Sequence, residues 1–187
     1  IINHDKSEHK EKIAAENNQE TFGNLSSLLK CFEVAKKDQS DLIYFVEDDY
    51  LHYEHSLVDM LNTYERVSSQ HKDEIIVCPS DYPFNYMNNE KTNILIGSQQ
   101  HWRTITKMLC TFMISKKMFQ KHIDNFEKTC EKRHEPFEKY LNKILESEIG
   151  ISPIKSLAIH MTNVNSSYGL SPFIDIKKLW EENKIYQ

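Results

Sequence analysis

Residues 42–52 read LIYFVEDDYLH: five apolar positions run straight into three adjacent acids. An unbroken apolar run of this length, bounded by polar residues, predicts a short strand buried on both faces. The three carboxylates repel one another, and no Lys or Arg stands within several residues to neutralise them. Residues two apart in an extended chain point the same way, so Glu47 and Asp49 share one face and Asp48 takes the other. Ligand sites in parallel α/β sheets gather beyond the carboxyl ends of the strands, which is where these acids stand. Carboxylate oxygens suit magnesium, manganese or calcium. The competing reading is a solvated turn, helped by the positive end of a following helix.

Around this segment the pattern alternates between helix and strand. Leu25, Leu28, Leu29, Phe32 and Ala35 have helical spacing. Ser56 is placed to cap a helix carrying Leu57, Met60, Leu61 and Tyr64. EIIVC (74–78), ILIG (94–97), CTFMI (110–114) and IKSLAIH (154–160) read as strands. Ser115 caps a helix running to about Lys128, residues 134–148 form another, and a short one lies near Trp180. Residues 1–20 read as a loop or a frayed helix. The mixture predicts an α/β fold, a mostly parallel sheet flanked by helices, in one domain spanning 1–187.

Composition narrows the function classes. With 187 residues there is length for a proper core. A net charge of −5 gives no electrostatic case for nucleic acid. No apolar run is long enough to cross a bilayer, and no signal peptide is visible. Cys31, Cys78, Cys110 and Cys130 are scattered without a zinc-ligand pattern, which points to reduced thiols in a cytoplasmic setting. The glycines, Gly23, Gly97, Gly150 and Gly169, are too far apart for GxGxxG or a P-loop.

Four further residue groups carry possible chemistry. His160 ends a short apolar run, where it is either a nitrogen ligand completing a carboxylate metal site, favouring manganese over calcium, or a hydrogen-bonded surface residue. Glu135 precedes Pro136 at an expected helix start. It is there either for the helix dipole or as a general base. Trp102 offers a flat apolar face and Arg103 a fork for phosphate or carboxylate; with His101 they form a ligand wall, or simply an exposed aromatic with a snorkelling arginine. The loop bearing Asp81, Tyr82 and Tyr86 suits a hydroxyl-rich ligand, or is stapled by its own tyrosines.

Taken together, YFVEDDYLH, PSDYPFNY, HWRTITKMLCTFMIS, HEPFEKYL and LAIHMTNVNSSYGLSPFIDIKKLW resemble, in order, the blocks of GT-A fold glycosyltransferases, closest to bacterial and phage family-2-like members. The acidic triplet looks like their DxD motif, and the resemblance covers most of the chain from about residue 20 onward. It implies a nucleotide-sugar donor, a divalent ion (Mn2+ or Mg2+), a hydroxyl acceptor and inverting transfer. Asp49 would bind the metal and His160 would add a further ligand. Glu47 and Asp48 would support the ion or contact the ribose. Trp102 and Arg103 would lie near the donor phosphates or the acceptor, and Glu135 would be the base. The mechanism requires no P-loop. One departure stands out: the usual first nucleotide-binding strand has no counterpart, with IINHD at most the remnant of a second. A non-catalytic GT-A-like domain that binds sugar or a partner, and a metal-dependent phosphoryl-transfer or hydrolytic enzyme, remain the alternatives.

Overall fold

Asn18 opens the first long helix by accepting a hydrogen bond from the Thr21 amide at 3.0 Å. That satisfies one of the orphan donors at a helix start. The computed structural model describes residues 5–13, 16–87, 89–165 and 170–184. In chain order its elements are α1 (Gln19–Lys37), β1 (Leu42–Phe45), β2 (Tyr50–His52), α2 (Ser56–His71), β3 (Ile75–Val77), β4 (Ile94–Ile96), β5 (His101–Ile105) and β6 (Phe112–Ser115). Then follow α3 (Lys116–Lys121), α4 (Ile123–Thr129), α5 (Lys139–Ile144), β7 (Ile149–Pro153), β8 (Ala158–His160) and α6 (Ile176–Asn183).

A six-stranded sheet runs β1-β6-β3-β7-β5-β4, and β2 pairs with β8 in a separate two-stranded ribbon. The α/β class holds, but the expected parallel sheet does not. Among the described residues only β3 and β7 are parallel, while the β1–β6, β3–β6, β4–β5 and β5–β7 pairs are antiparallel. The physical reason is that apolar runs report burial on two faces and carry no information about strand direction. Central strands are indeed covered on both sides. Ile76, Cys78, Phe112 and Ile114 face one core with α1, α3, α4 and α5, whereas Ile75, Val77 and Met113 face a second core with α2. Phe32, Phe45, Phe112, Phe119 and Phe126 interlock in the first core, with ring centroids such as Phe119–Phe126 at 4.8 Å, close to the optimum for aromatic pairs.

Local expectations fare unevenly. Ser115 caps α3 through the Met118 amide at 3.1 Å, but the helix breaks at His122 into α3 and α4. Ser56 starts α2 without capping it, because its hydroxyl donates to the Leu157 carbonyl at 2.5 Å. The helix expected over 134–148 shrinks to α5, and the strand expected over 154–160 shrinks to β8. The strand remnant at 1–5 falls, apart from Asp5, outside the described residues.

The β4–β5 connection is pinned to α2. Buried Asp59 accepts from the Gln99 amide at 3.3 Å and from Gln100 Nε2 at 3.1 Å. Gly97 lies against the indole of Trp102, and a β-carbon there would overlap the ring and press on Thr63 Oγ1 at 2.9 Å. Gly97→Ala is therefore expected to cost about 1–3 kcal/mol through overpacking. Chemical denaturation would measure it, and a change below about 0.5 kcal/mol would show that the indole has room to move.

Candidate functional site

The ribbon of β2 and β8 assembles the site. Tyr50 is register partner to His160, and the Met161 amide donates to the Asp49 carbonyl at 2.9 Å. A turn closes from Glu47 to Tyr50, with the Tyr50 amide 3.4 Å from the Glu47 carbonyl. This turn, rather than a continued strand, sorts the acids: Asp48 faces solvent, while Glu47 and Asp49 turn inward. One ligand atom each from Glu47, Asp49 and His160 lie within 4.8 Å of one another. His160 Nε2 stands 2.7 Å from Asp49 Oδ2.

The imidazole is held on several sides. Its ring stacks on Tyr50, centroids 4.8 Å apart and planes 11° from parallel. Nδ1 lies 3.0 Å from Thr162 Oγ1, leaving Nε2 for the acids. Tyr50 in turn shares a 2.8 Å hydroxyl hydrogen bond with the fully buried Tyr82. Ser80 and Ser156 both donate to the Ala158 carbonyl at 2.7 Å, fixing β8 just ahead of His160. Glu47 is anchored through its backbone amide, which donates to Thr111 Oγ1 at 2.9 Å.

Electrostatics mark Glu47 as the stressed member. Burial pushes its carboxyl up to about 7, with further contributions from Asp49 and Glu138. A cation among these oxygens would relieve that repulsion, and two carboxylates with one imidazole could hold a divalent metal ion.

Glu138 escaped the sequence reading. It sits at the N-terminal end of α5. Burial raises its carboxyl above the usual range, its own backbone amide and His160 pull the other way, and Glu135 adds to the rise. Its charge bears on Glu47, and His160 bears on it in turn. Glu135 and Pro136 occupy a bend ahead of α5 instead of its first turn, and Glu135 is exposed. The sequence signal was available: Glu138 lies three residues after Glu135 in the same block.

Trp102 and Arg103 are not a ligand wall. Trp102 is fully buried among Met60, Val67 and Ile151. As neighbours on a strand, the two side chains leave β5 on opposite faces. Arg103 forms a buried ion pair with Asp81 and lies over the Tyr86 ring, 4.2 Å from its centroid. Asp81 also accepts from Tyr86 and, at 2.6 Å, from Ser171. The loop of Asp81, Tyr82 and Tyr86 is thus stapled by its own side chains.

No helix among the described residues is long and apolar enough to cross a membrane. No protein-family model matches the sequence, and no curated protein matches it significantly.

Proposed function

We propose that this chain is a metal-dependent glycosyltransferase of the GT-A type, moving a sugar from a nucleotide-sugar donor to a hydroxyl acceptor with inversion. The observation that carries this reading is the convergence of ligand atoms of Glu47, Asp49 and His160 within 4.8 Å, with the Glu138 charge bearing on Glu47. Glu47, Asp49 and His160 would hold the divalent ion, with Asp49 as its direct carboxylate and exposed Asp48 free to meet the ribose. When bound, the ion supplies Lewis-acid neutralisation of the nucleoside diphosphate leaving group. Stacking on Tyr50 and the contact with Thr162 fix the His160 ring, so the ligand atom needs little reordering.

Proton removal from the acceptor belongs to the carboxylates around α5. A half-buried carboxyl with a raised pKa is a better general base near neutrality than a solvated one. Glu138 has that environment; exposed Glu135, the base implied by the resemblance, is its neighbour and its contrast in any test.

The test is thermal stability with UDP, GDP, CDP and dTDP, each with and without manganese, beside an Asp49→Asn variant. A ligand that binds only the folded chain raises the melting temperature. A manganese-dependent rise with one nucleotide, absent in the variant, is the expected result. Shifts identical in the variant, or none with any nucleotide, would sink the reading.

Proton competition gives a second expectation. A cation must displace the proton from Glu47, whose cation-free carboxyl titrates at about 7. Manganese affinity should therefore rise with pH through that value and flatten above it, losing up to about tenfold per unit below it. Calorimetric titrations between acidic and alkaline buffers would show this, and a pH-independent affinity would exclude Glu47 as a ligand.

A further inference from the structure

Among the described residues, two other than glycine hold a positive φ: Lys72 at 57° and Phe173 at 70°. Lys72 ends α2, where a left-handed residue is the ordinary way to finish a helix. Phe173 finishes no helix. It follows Pro172 in a turn just ahead of α6. Proline suits the first central position of a turn, and a positive φ at the next is ordinarily left to Gly or Asn. The β-carbon of any other residue crowds a backbone carbonyl oxygen there, so a bulky aromatic is a costly choice.

Packing does not offset that cost, because Phe173 leaves 81% of its surface in solvent. A lone apolar side chain on a surface is ordinary. One that is exposed and also sits on a strained backbone is favoured neither by burial nor by conformation. Strain of this kind gathers at ligand sites. The position of the turn agrees. Ser171 Oγ donates to the Asp81 carboxylate at 2.6 Å, and the Asp175 amide donates to the Tyr53 hydroxyl at 3.1 Å. Tyr53 directly follows β2, whose Tyr50 stacks on His160. Ser171 and Ile174, which flank Pro172 and Phe173, line one small pocket with His160. The strained aromatic is therefore clamped at both ends, beside the candidate metal centre.

We propose that Phe173 is a platform on which a sugar ring of the substrate stacks at the edge of that centre. The inference rests on the transferase reading and names a residue that binds the sugar. A pyranose presents C–H groups on its faces and hydroxyls around its rim. The phenyl ring takes a face, as apolar contacts do in small-molecule sites. Thr162 and Asn163, next along the chain from His160, offer groups that pair with hydroxyls. In the transferase reading exposed Asp48 meets the ribose, which leaves the aromatic turn beside His160 to the sugar. The stacked ring belongs either to the donor or to the acceptor, and the chemistry of contact is the same.

The probes are methyl glycosides of glucose, galactose, mannose and N-acetylglucosamine, and UDP-glucose and GDP-mannose with manganese, beside UDP and GDP alone. Saturation-transfer NMR and calorimetry read binding to the wild-type chain and three variants. Phe173→Leu is expected to weaken a sugar-bearing probe about tenfold, and Phe173→Trp to keep it. Phe173→Asn should lose the same affinity yet melt about 2–4 °C higher, because asparagine accepts the left-handed backbone. Loss confined to the glycosides assigns the ring to the acceptor, and loss confined to the nucleotide sugars assigns it to the donor; either supports the proposal. Equal weakening of bare UDP or GDP would make Phe173 a platform for the base and overturn it. So would a leucine variant that binds like wild type, an asparagine variant that melts lower, or no binding of any sugar-bearing probe. The transferase reading fails separately. A glycoside held through Phe173, in a chain without a manganese-dependent nucleotide shift, refutes transfer and leaves the platform. That shift, with sugars indifferent to Phe173, refutes the platform alone.

Discussion

Replacing Glu138 by Gln is expected to lower sugar transfer by about 10²- to 10⁴-fold, the range for losing a positioned general base. Manganese affinity should change far less, because the three ligand atoms that converge come from Glu47, Asp49 and His160. Removing the Glu138 charge also removes one cause of the raised Glu47 carboxyl. A divalent cation feels that lost charge more than a proton does, so any small change in affinity should be a loss. Glu135→Gln is the contrast. Glu135 is exposed and reaches the cluster through its effect on Glu138, so its loss should lower turnover only about threefold to tenfold. Initial rates of nucleotide release, measured with the donor that the thermal screen identifies, separate the two variants. The reverse order would return the role of base to Glu135, and equal small losses would remove both.

Asp81→Ala should destabilise the fold by about 3–5 kcal/mol, the cost of stripping one partner from a buried ion pair. Asp81 is a shared acceptor, taking hydrogen bonds from Arg103, Tyr86 and Ser171. Burial pushes its carboxyl above the ordinary range, and Ser171, Tyr86 and Arg103 pull it back. The alanine variant leaves the guanidinium of Arg103, a residue only 9% open to solvent, without its counter-charge. It also releases Ser171 and with it the segment that lines the small pocket beside His160. Urea denaturation of Asp81→Ala, with Asp81→Asn beside it, reads the effect, and the amide should recover only part of it. A loss under about 1 kcal/mol would mean that solvent reaches Arg103 and the pair is worth no more than a surface bridge.

The acidic turn was legible because chemistry is local there: Leu42 to Asp49 carry both the strand and the charge in one run. Helix α1 was legible for the same reason, its apolar spacing matching Leu25, Leu29, Phe32 and Ala35 in the core. What local pattern cannot express is pairing. β5 reads HWRTI, an alternation with polar members that suits a ligand wall as readily as a buried strand. Only the β4 and β7 neighbours show why Trp102 turns into one core and Arg103 toward Asp81. β2 was hidden because its three residues follow an acidic turn and depend on β8 for hydrogen bonds. Glu138 was hidden by a boundary: with Pro136 assigned to the first turn of a helix, Glu135 became the residue at its mouth. The helix starts at Lys139 instead, which moves Glu138 to the mouth.

The β2–β8 ribbon has a consequence for how the protein acquires its site. Asp49 leads into one strand and His160 ends the other, and they meet because Tyr50 lies opposite His160. A slip of one residue in that register would send the imidazole to the far side of the ribbon. Like a buckle, the ribbon joins an early and a late part of the polypeptide. Any cation held there would grip both parts at once and so oppose opening of the closed molecule.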